Sequence, residues 1–341
     1  MKLSEFDYTL PKELIAKYPL KDRDKCRLMV LDRKKHTIEH RTFDEIAEYF
    51  SSGDCLVLNN TKVIPARLFG KRKTGGNVEI FLLQKSNPVC EALVRPSNRL
   101  KEGEKITLES GDEIEILGRS EIGRRIKFNR PLDGILEEIG HVPLPPYINR
   151  PDEDSDKSDY QTVYGINEGA TASPTAGLHF TQELIERVEG RGSTVSYVTL
   201  HTSYGTFAPV KSDDVENHRM HKEYFELPEE AAKCVEETKA RGGRVFAVGT
   251  TSNRVLEHCA SRDTAYRLKL TAGSGYTELF IYPGYQFKIV DHLITNFHLP
   301  KSTLFLLVSA FAGSEFILEA YQKAIEAKYR FYSYGDAMLI L

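Results

Sequence analysis

The sequence predicts a mixed α/β main domain interrupted by an inserted small all-β barrel. Two patterns predict it. Short strand-like runs separated by turn signals crowd into residues 61–150, and strands alternate with helices from residue 151 to the end. Length agrees, since 341 residues at about 150 per domain suggest roughly two domains. The main domain is thus expected to be discontinuous, 1–60 plus 151–341, with the barrel at 61–150.

Each element has a local reason. Cys55-Leu56-Val57-Leu58 follows the turn Ser52-Gly53-Asp54 and reads as a short buried strand. Runs at 67–70 and 78–83 flank Thr74-Gly75-Gly76, a hairpin signal. Further short runs follow at 91–94, 105–108, 113–117 and 125–128, the last two alternating cleanly. The insertion exits through Pro143-Leu144-Pro145-Pro146-Tyr147, and the acidic stretch 151–156 reads as a solvated linker. Beyond it, 181–189 is helical with Leu184, Ile185 and Val188 on one face, and 194–200 is a strand. Pro228 opens a helix as a first-turn proline, and Gly242-Gly243 stops it. Residues 244–248 form a strand, a helix starts at Ser252, and 278–282 is another strand. Ser314 caps a helix through Ala327 that buries Leu318, Tyr321 and Ile325, and 337–340 is a terminal strand.

Composition bounds the function. With 46 basic against 49 acidic residues the formal net charge is −3, which does not advertise a nucleic-acid binder but leaves room for a local basic patch. Forty percent apolar residues, with 17 Tyr and 17 Phe, supply a sizeable core and exclude global disorder. No run approaches the 18 or so apolar residues of a membrane span, and the N-terminus lacks a signal-peptide stretch, so a soluble cytoplasmic protein is expected. Five scattered cysteines without a C-x-x-C pair argue against a disulfide framework or a Cys-rich zinc site.

Five stretches are denser in Gly, His, Thr, Asn and aromatic residues than a plain core needs. In Ser173-Pro174-Thr175-Ala176-Gly177-Leu178-His179-Phe180, His179 stands just before a helix and is either an acid/base group or a turn cap. His218, His221 and Glu223 have metal-compatible spacing. Zinc needs three or four ligands of defined geometry, so polar pocket lining is the preferred reading, and no metal is expected. Gly249-Thr250-Thr251-Ser252 runs from a strand into a helix, a turn that suits a phosphate, carboxylate or ribose, or is an ordinary cap. Tyr282, Tyr285, Phe287 and Phe297 could stack on a purine, Asn296 could read a base edge, and His298 is a second candidate base. Arg330 among aromatics could grip a phosphate or form a structural pair with Asp336. In the insertion, Lys62, Arg67, Lys71, Arg72 and Lys73 carry no intervening acid and offer phosphate contacts or a solvated strand face. Arg119, Arg124, Arg125, Lys127 and Arg130 form a second group.

These motifs together resemble a known family. Ser173 to Thr181, Gly205-Thr206-Phe207-x-Pro209-Val210, His218-x-Met220-His221-x-Glu223, Gly249-Thr250-Thr251-Ser252-x-Arg254, Tyr282-Pro283-Gly284-Tyr285, Asn296-Phe297-His298-Leu299-Pro300-x-Ser302-Thr303-Leu304 and Tyr329-Arg330-Phe331-x-Ser333-Tyr334-Gly335-Asp336 resemble the S-adenosylmethionine:tRNA ribosyltransferase-isomerases. So do Phe6-Asp7-Tyr8 and Asn59-x-Thr61-Lys62-Val63-Ile64-Pro65-Ala66-Arg67, and the matches run in order to the last residue. Departures are Ser173 where Ala is common, Thr202-Ser203-Tyr204 where the family usually has Val-Gly, and Asn253 where Val is common.

The resemblance implies an α/β domain with an inserted barrel and a step of queuosine biosynthesis. The ribosyl part of S-adenosylmethionine would be attached to 7-aminomethyl-7-deazaguanine at the tRNA wobble position. It implies no permanently bound cofactor, S-adenosylmethionine as co-substrate, tRNA as partner and a monomer. The residues expected to carry catalysis are His179, His298, His221 and Glu223, with a base titrating near neutral pH suiting the chemistry. Those expected to bind substrate are Thr175, Gly177, Thr206, Phe207, Thr250, Thr251, Arg254, Tyr282, Asn296, Phe297, Ser302, Arg330, Tyr334 and Asp336. Lys62, Arg67, Lys71 and Arg72 are expected on tRNA phosphates.

Overall fold

The computed structural model describes residues 1–203, 210, 212–262 and 268–341. Strands β1 (Arg27–Asp32) and β2 (Thr37–Thr42) form a hairpin, and β3 (Cys55–Asn59) is buried along its whole length. After β4 (Thr61–Val63) come the six strands of the insertion. These are β5 (Arg67–Arg72), β6 (Asn77–Leu82), β7 (Val89–Arg95), β8 (Lys105–Leu108), β9 (Glu113–Arg119) and β10 (Arg124–Phe128). They close into a barrel in the order β10-β7-β6-β5-β8-β9. Its interior is filled by inward side chains such as Leu68, Ile80, Ile106, Ile114 and Ile126, which is what the alternation of those runs requires. Helix α1 (Leu132–Ile139) packs Leu132, Ile135 and Leu136 into the same core.

The chain returns through α2 (Asp156–Asp159) and β11 (Asn167–Ala170). Then follow α3 (Gln182–Gly190), β12 (Thr194–Leu200), β13 (Glu223–Leu227), α4 (Glu229–Ala240), β14 (Val245–Val248) and α5 (Gly249–Cys259). Short β15 (Ala260–Arg262) and β16 (Leu268–Leu270) pair with each other before β17 (Gly273–Thr277) and β18 (His292–Asn296). Helices α6 (Thr303–Ala312) and α7 (Ser314–Glu326) precede the last strand, β19 (Ala337–Ile340). A nine-stranded sheet results, ordered β17-β13-β12-β3-β14-β18-β19-β1-β2. The run β12-β3-β14-β18 is parallel, and β19 lies antiparallel to β18 and parallel to β1. Helices on both faces bury two apolar clusters, one around Phe297, Phe305 and Tyr321, the other around Phe43, Phe180 and Phe246.

Several expectations need correcting. Residues 278–282 are not a strand. The partner of β13 is β17, so the sheet edge is made by Gly-Ser-Gly-Tyr-Thr, and cross-strand register overrides local propensity. Helix α5 starts at Gly249, three residues before Ser252, because Gly249 takes φ +79° and turns the chain directly off β14. Pro228 caps α4 from outside its first turn, and Gly313, not Ser314, caps α7. On α7 the fully buried side includes Phe316, Ile317, Ala320 and Tyr321, with Leu318 and Ile325 half-buried beside it. The acidic stretch is solvated at Pro151, Glu153, Asp154 and Ser155, but it is tied down on either side of them, since Asp156 is buried against Arg150 and Asp152 accepts the Val142 N–H.

Among the described residues no single helix is long and apolar enough to cross a membrane. The α6–α7 pair reaches that length only together, is bent by 113°, and packs its apolar side chains into the core.

Candidate active site

Strands β12, β3, β14 and β18 end at one edge of the sheet, the edge at which open α/β sheets bind ligands. Thr202 lies just beyond β12, Gly249-Thr250-Thr251 just beyond β14, and β18 ends on Asn296, followed by Phe297 and His298. Asn296 faces Ala337 across the antiparallel β18–β19 pair, so the loop before β19 reaches this edge too.

Two cavities open here. The larger holds about 340 Å³ between Tyr147, Phe297, Leu299, Ser302, Tyr332 and Ser333. The smaller, about 40 Å³, lies between Ser173, Pro174, Thr202, Gly249, Thr250 and Thr251. Thr175, Asn296, His298 and Leu304 line both, which makes them two lobes of one site.

His298 stands where the lobes meet. Its Nε2 lies 2.8 Å from Thr295 Oγ1, its backbone N–H donates to Tyr321 Oη at 2.9 Å, and its backbone carbonyl accepts from Tyr8 Oη. Burial pushes its imidazole down to about 3, so titration near neutrality is not what the ring does in the free protein; it is neutral at physiological pH, and the same burial disfavours its protonated form.

His179 is buried behind the site. Its Nε2 lies 3.0 Å from Asn296 Nδ2 and its Nδ1 3.2 Å from Cys26 Sγ. The same Nδ2 donates to the Tyr332 carbonyl at 3.1 Å, which fixes the amide orientation because a carbonyl can only accept. His179 Nε2 therefore accepts from Asn296, and the ring proton sits on Nδ1, toward Cys26. Asn296 Oδ1 accepts from Thr175 Oγ1 at 3.1 Å. Both polar atoms of the Asn296 amide are thus engaged within the protein. Burial lowers His179 to about 3 as well. Cys26, His179 and Asn296 have the order of a nucleophilic triad, but Cys26 is 2% exposed and burial pushes its thiol up, so it is neither ionised nor reachable.

The other expected residues divide sharply. Thr175, Thr250, Thr251, Asn296, Phe297 and Ser302 line the lobes. Ser302 is also the cap of α6, accepting from Phe305 N–H at 3.1 Å. Arg254 lines neither lobe. It is buried in an ion pair with Glu223, whose Oε1 accepts the Ser203 N–H at 3.0 Å, and Arg254 Nη2 has no partner among the described residues. Gly177 packs against Tyr164, whose Oη would sit 2.0 Å from a Cβ there. Tyr282 packs on Phe280 with ring centroids 5.0 Å apart, and His221 is exposed. Tyr334 donates to Asp156 at 2.9 Å, Asp336 accepts from the Arg27 and Arg330 backbone, and Arg330 donates to the Tyr18 carbonyl. Thr206 and Phe207 lie outside the described residues, as does Tyr204.

In the insertion, other strands supply the acids that the local sequence lacks. Lys62 pairs with Glu168 at 3.4 Å, Arg67 with Glu79 at 3.3 Å and Arg72 with Glu104 at 2.6 Å, while Lys71 is exposed. In the second group Arg124 is buried against Ser97 and Leu100. Tyr147 and Tyr332 line the site without having been expected there, and Ser173 and Thr202, two of the departures from the family pattern, line it as well. Ser173 was legible, since it opens the motif containing Thr175. Tyr147 was not, because only the folded insertion carries it to this edge.

The chain resembles known proteins over its whole length. It is 53% identical over 344 residues, all of both chains, to a Sulfurihydrogenibium protein named S-adenosylmethionine:tRNA ribosyltransferase-isomerase. It is 50% identical over 345 residues, again all of both chains, to one of the same name from Trichlorobacter lovleyi. A crystal structure of S-adenosylmethionine tRNA ribosyltransferase from Thermotoga maritima superposes with a TM-score of 0.57 at 41% identity, covering 99% of this chain and 100% of that one. A family model described as queuosine biosynthesis protein matches residues 3–340. The chain belongs to the queuosine biosynthesis protein family, that of the S-adenosylmethionine:tRNA ribosyltransferase-isomerases.

Proposed function

We propose that the two-lobed site transfers and isomerises the ribosyl part of S-adenosylmethionine onto 7-aminomethyl-7-deazaguanine at the wobble position of tRNA. The products are epoxyqueuosine in tRNA, adenine and methionine. The observation that carries the reading is His298, a neutral imidazole at the junction of an aromatic lobe and a hydroxyl-lined lobe.

The sulfonium acidifies the adjacent 5′ carbon, and His298 takes that proton. Adenine departs with the electron pair of its glycosidic bond and picks up a proton, the tRNA amine attacks the opened sugar and gives one up, and closure to the epoxide breaks the C–S bond and expels methionine with that electron pair. The larger lobe, with Tyr147 and Tyr332 in its walls, suits the adenosyl part, whereas the Phe297 ring, expected to stack on a purine, is fully buried against Tyr321, Tyr329 and Phe331. His179 acts through Asn296 as a positioning residue and does not touch substrate. Lys62, Arg67, Lys71 and Arg72 face tRNA phosphates. Exposed pairs such as Lys62–Glu168 are worth roughly 0–1 kcal/mol, so a phosphate can displace the carboxylate. The enzyme acts as a cytoplasmic monomer, with S-adenosylmethionine as a consumed substrate.

Incubation with S-adenosylmethionine and tRNA carrying 7-aminomethyl-7-deazaguanine, followed by mass spectrometry, tests this. Free adenine and methionine should appear with the modified nucleoside in equal amounts. His298→Gln should lower kcat by about 10²-fold or more, the usual share of a general base. Release of S-adenosylhomocysteine would make the protein a methyltransferase instead, and unchanged turnover in His298→Gln would remove the base.

A further inference from the structure

The smaller lobe has a composition of its own. It lies at the start of α5, an eleven-residue helix whose first turn no side chain caps. The unpaired N–H groups of such a turn attract an acceptor carrying negative charge. Three residues lining the lobe carry hydroxyls with no partner among the described residues: Ser173, Thr202 and Thr251. They are 4%, 3% and 8% exposed, so water does not freely serve them. Buried hydroxyls without protein partners are costly, and a cluster of them around one cavity suits a hydrogen-bond acceptor there. The helix start and the hydroxyls converge, for Thr251 Oγ1 lies 3.3 Å from where a Cβ on Gly249 would be.

We infer that the smaller lobe is a carboxylate-binding subsite, in which the Ser173, Thr202 and Thr251 hydroxyls and the α5 N-terminus hold the amino-acid carboxylate of the sulfonium substrate. This rests on the reading of S-adenosylmethionine as substrate given above. Size favours a carboxylate over an RNA phosphate. About 40 Å³ admits only two or three water-sized groups, enough for the two oxygens of a carboxylate. A phosphodiester has four oxygens, two of which continue into chain. A carboxylate only accepts hydrogen bonds, which matches a wall of hydroxyls and backbone donors. His298, shared by both lobes, would then lie between the anchored carboxylate end and the adenosyl end, beside the sulfonium.

Calorimetry on the full chain with S-adenosylmethionine and with its decarboxylated analogue tests the subsite. The wild-type protein should prefer S-adenosylmethionine by about 100-fold or more, as for a set of charge-assisted hydrogen bonds. Ser173→Ala and Thr202→Val should each shrink that ratio by roughly tenfold, one such bond, while affinity for the analogue stays the same. Thermal unfolding without ligand keeps the test independent of folding. Removing an unpartnered hydroxyl should leave Tm unchanged or raise it, whereas a structural hydroxyl would lower it. Equal weakening of both ligands overturns the subsite while leaving the substrate reading intact. Loss of tRNA affinity at an unchanged ratio makes the anion a phosphate and overturns the carboxylate. No binding of S-adenosylmethionine to the wild-type chain overturns the substrate reading, and the subsite with it.

Discussion

Asn296 settles the protonation of its neighbours. Because its amide must donate to the Tyr332 carbonyl, His179 is confined to the Nδ1–H tautomer and Thr175 must spend its proton on Asn296 Oδ1. Thr175 therefore offers the site a lone pair and not a donor. Burial disfavours the charged imidazole and lowers His179 to about 3, so nitrogen NMR should find this ring neutral and untitrated from pH 8 to pH 5. Since the folded pKa lies below the unfolded value, His179 adds stability above about pH 6.5 that is lost as pH falls toward 3. Asn296→Asp tests the chain of bonds. A carboxylate cannot donate to Tyr332 or to His179, so the variant should either protonate His179 or break both contacts. The NMR signal should then shift toward a charged ring, and kcat/KM should fall by about 10²-fold for two lost buried hydrogen bonds. A variant with neutral His179 and full activity would refute the tautomer assignment.

Among the elements, α5 carries the most function in the fewest residues. It leaves β14 with no intervening loop, which is possible only because Gly249 adopts φ +79°. Gly249→Ala should cost about 1–2 kcal/mol for the left-handed backbone alone. Its methyl would also meet Thr251 Oγ1 at 3.3 Å, in the wall of the smaller lobe. Denaturant unfolding should therefore show the loss of stability together with weaker S-adenosylmethionine binding. Stability lost with binding intact would mean that the lobe is not used. This element also shows how far the sequence is legible. Gly-Thr-Thr-Ser after an apolar strand run located the turn, but the start was misplaced because a glycine φ cannot be read from composition. The strands β3, β14 and β19 are plain from apolar runs, since each is buried on both faces, whereas β12 mixes Thr, Ser and Tyr with its apolar residues and is exposed at its start. The aromatic run 278–282 misled for the opposite reason. Its rings pack inward as irregular chain, while the glycine-rich β17 takes the ladder to β13. In the site, residues in one motif were legible together, but Arg254, Tyr334 and Asp336 serve as buried structural partners, a distinction set by tertiary contacts alone.

The largest-scale feature that bears on activity joins the exit of the insertion to the end of the chain. Arg150 forks onto Asp156 at 2.7 and 2.8 Å, and Tyr334 donates to the same carboxylate at 2.9 Å. The Asp156 side chain is fully buried and that of Arg150 is 9% exposed. On either side of this clamp stand two walls of the larger lobe, Tyr147 from the insertion exit and Tyr332 from the terminal loop. Their rings lie 4.7 Å apart, and Tyr147 Oη meets Ser333 Oγ at 2.6 Å. Burial would raise the Asp156 carboxyl, but Arg150, the Glu153 N–H and Tyr334 together hold it below its ordinary value, so the pair is charged at neutral pH. Breaking such a pair strands one buried charge and costs about 3–5 kcal/mol, far more than the pair contributes over an apolar substitute. Asp156→Ala should therefore lower stability by that amount in urea. It should also free Tyr334 and the loop carrying Tyr332, raising KM for S-adenosylmethionine before kcat changes, because His298 is held separately by Thr295, Tyr8 and Tyr321. Asp156→Asn keeps the acceptor for Tyr334 and should recover part of the binding but little of the stability. Equal losses of kcat and KM in both variants would show that the clamp supports the whole fold and not the wall of the larger lobe in particular.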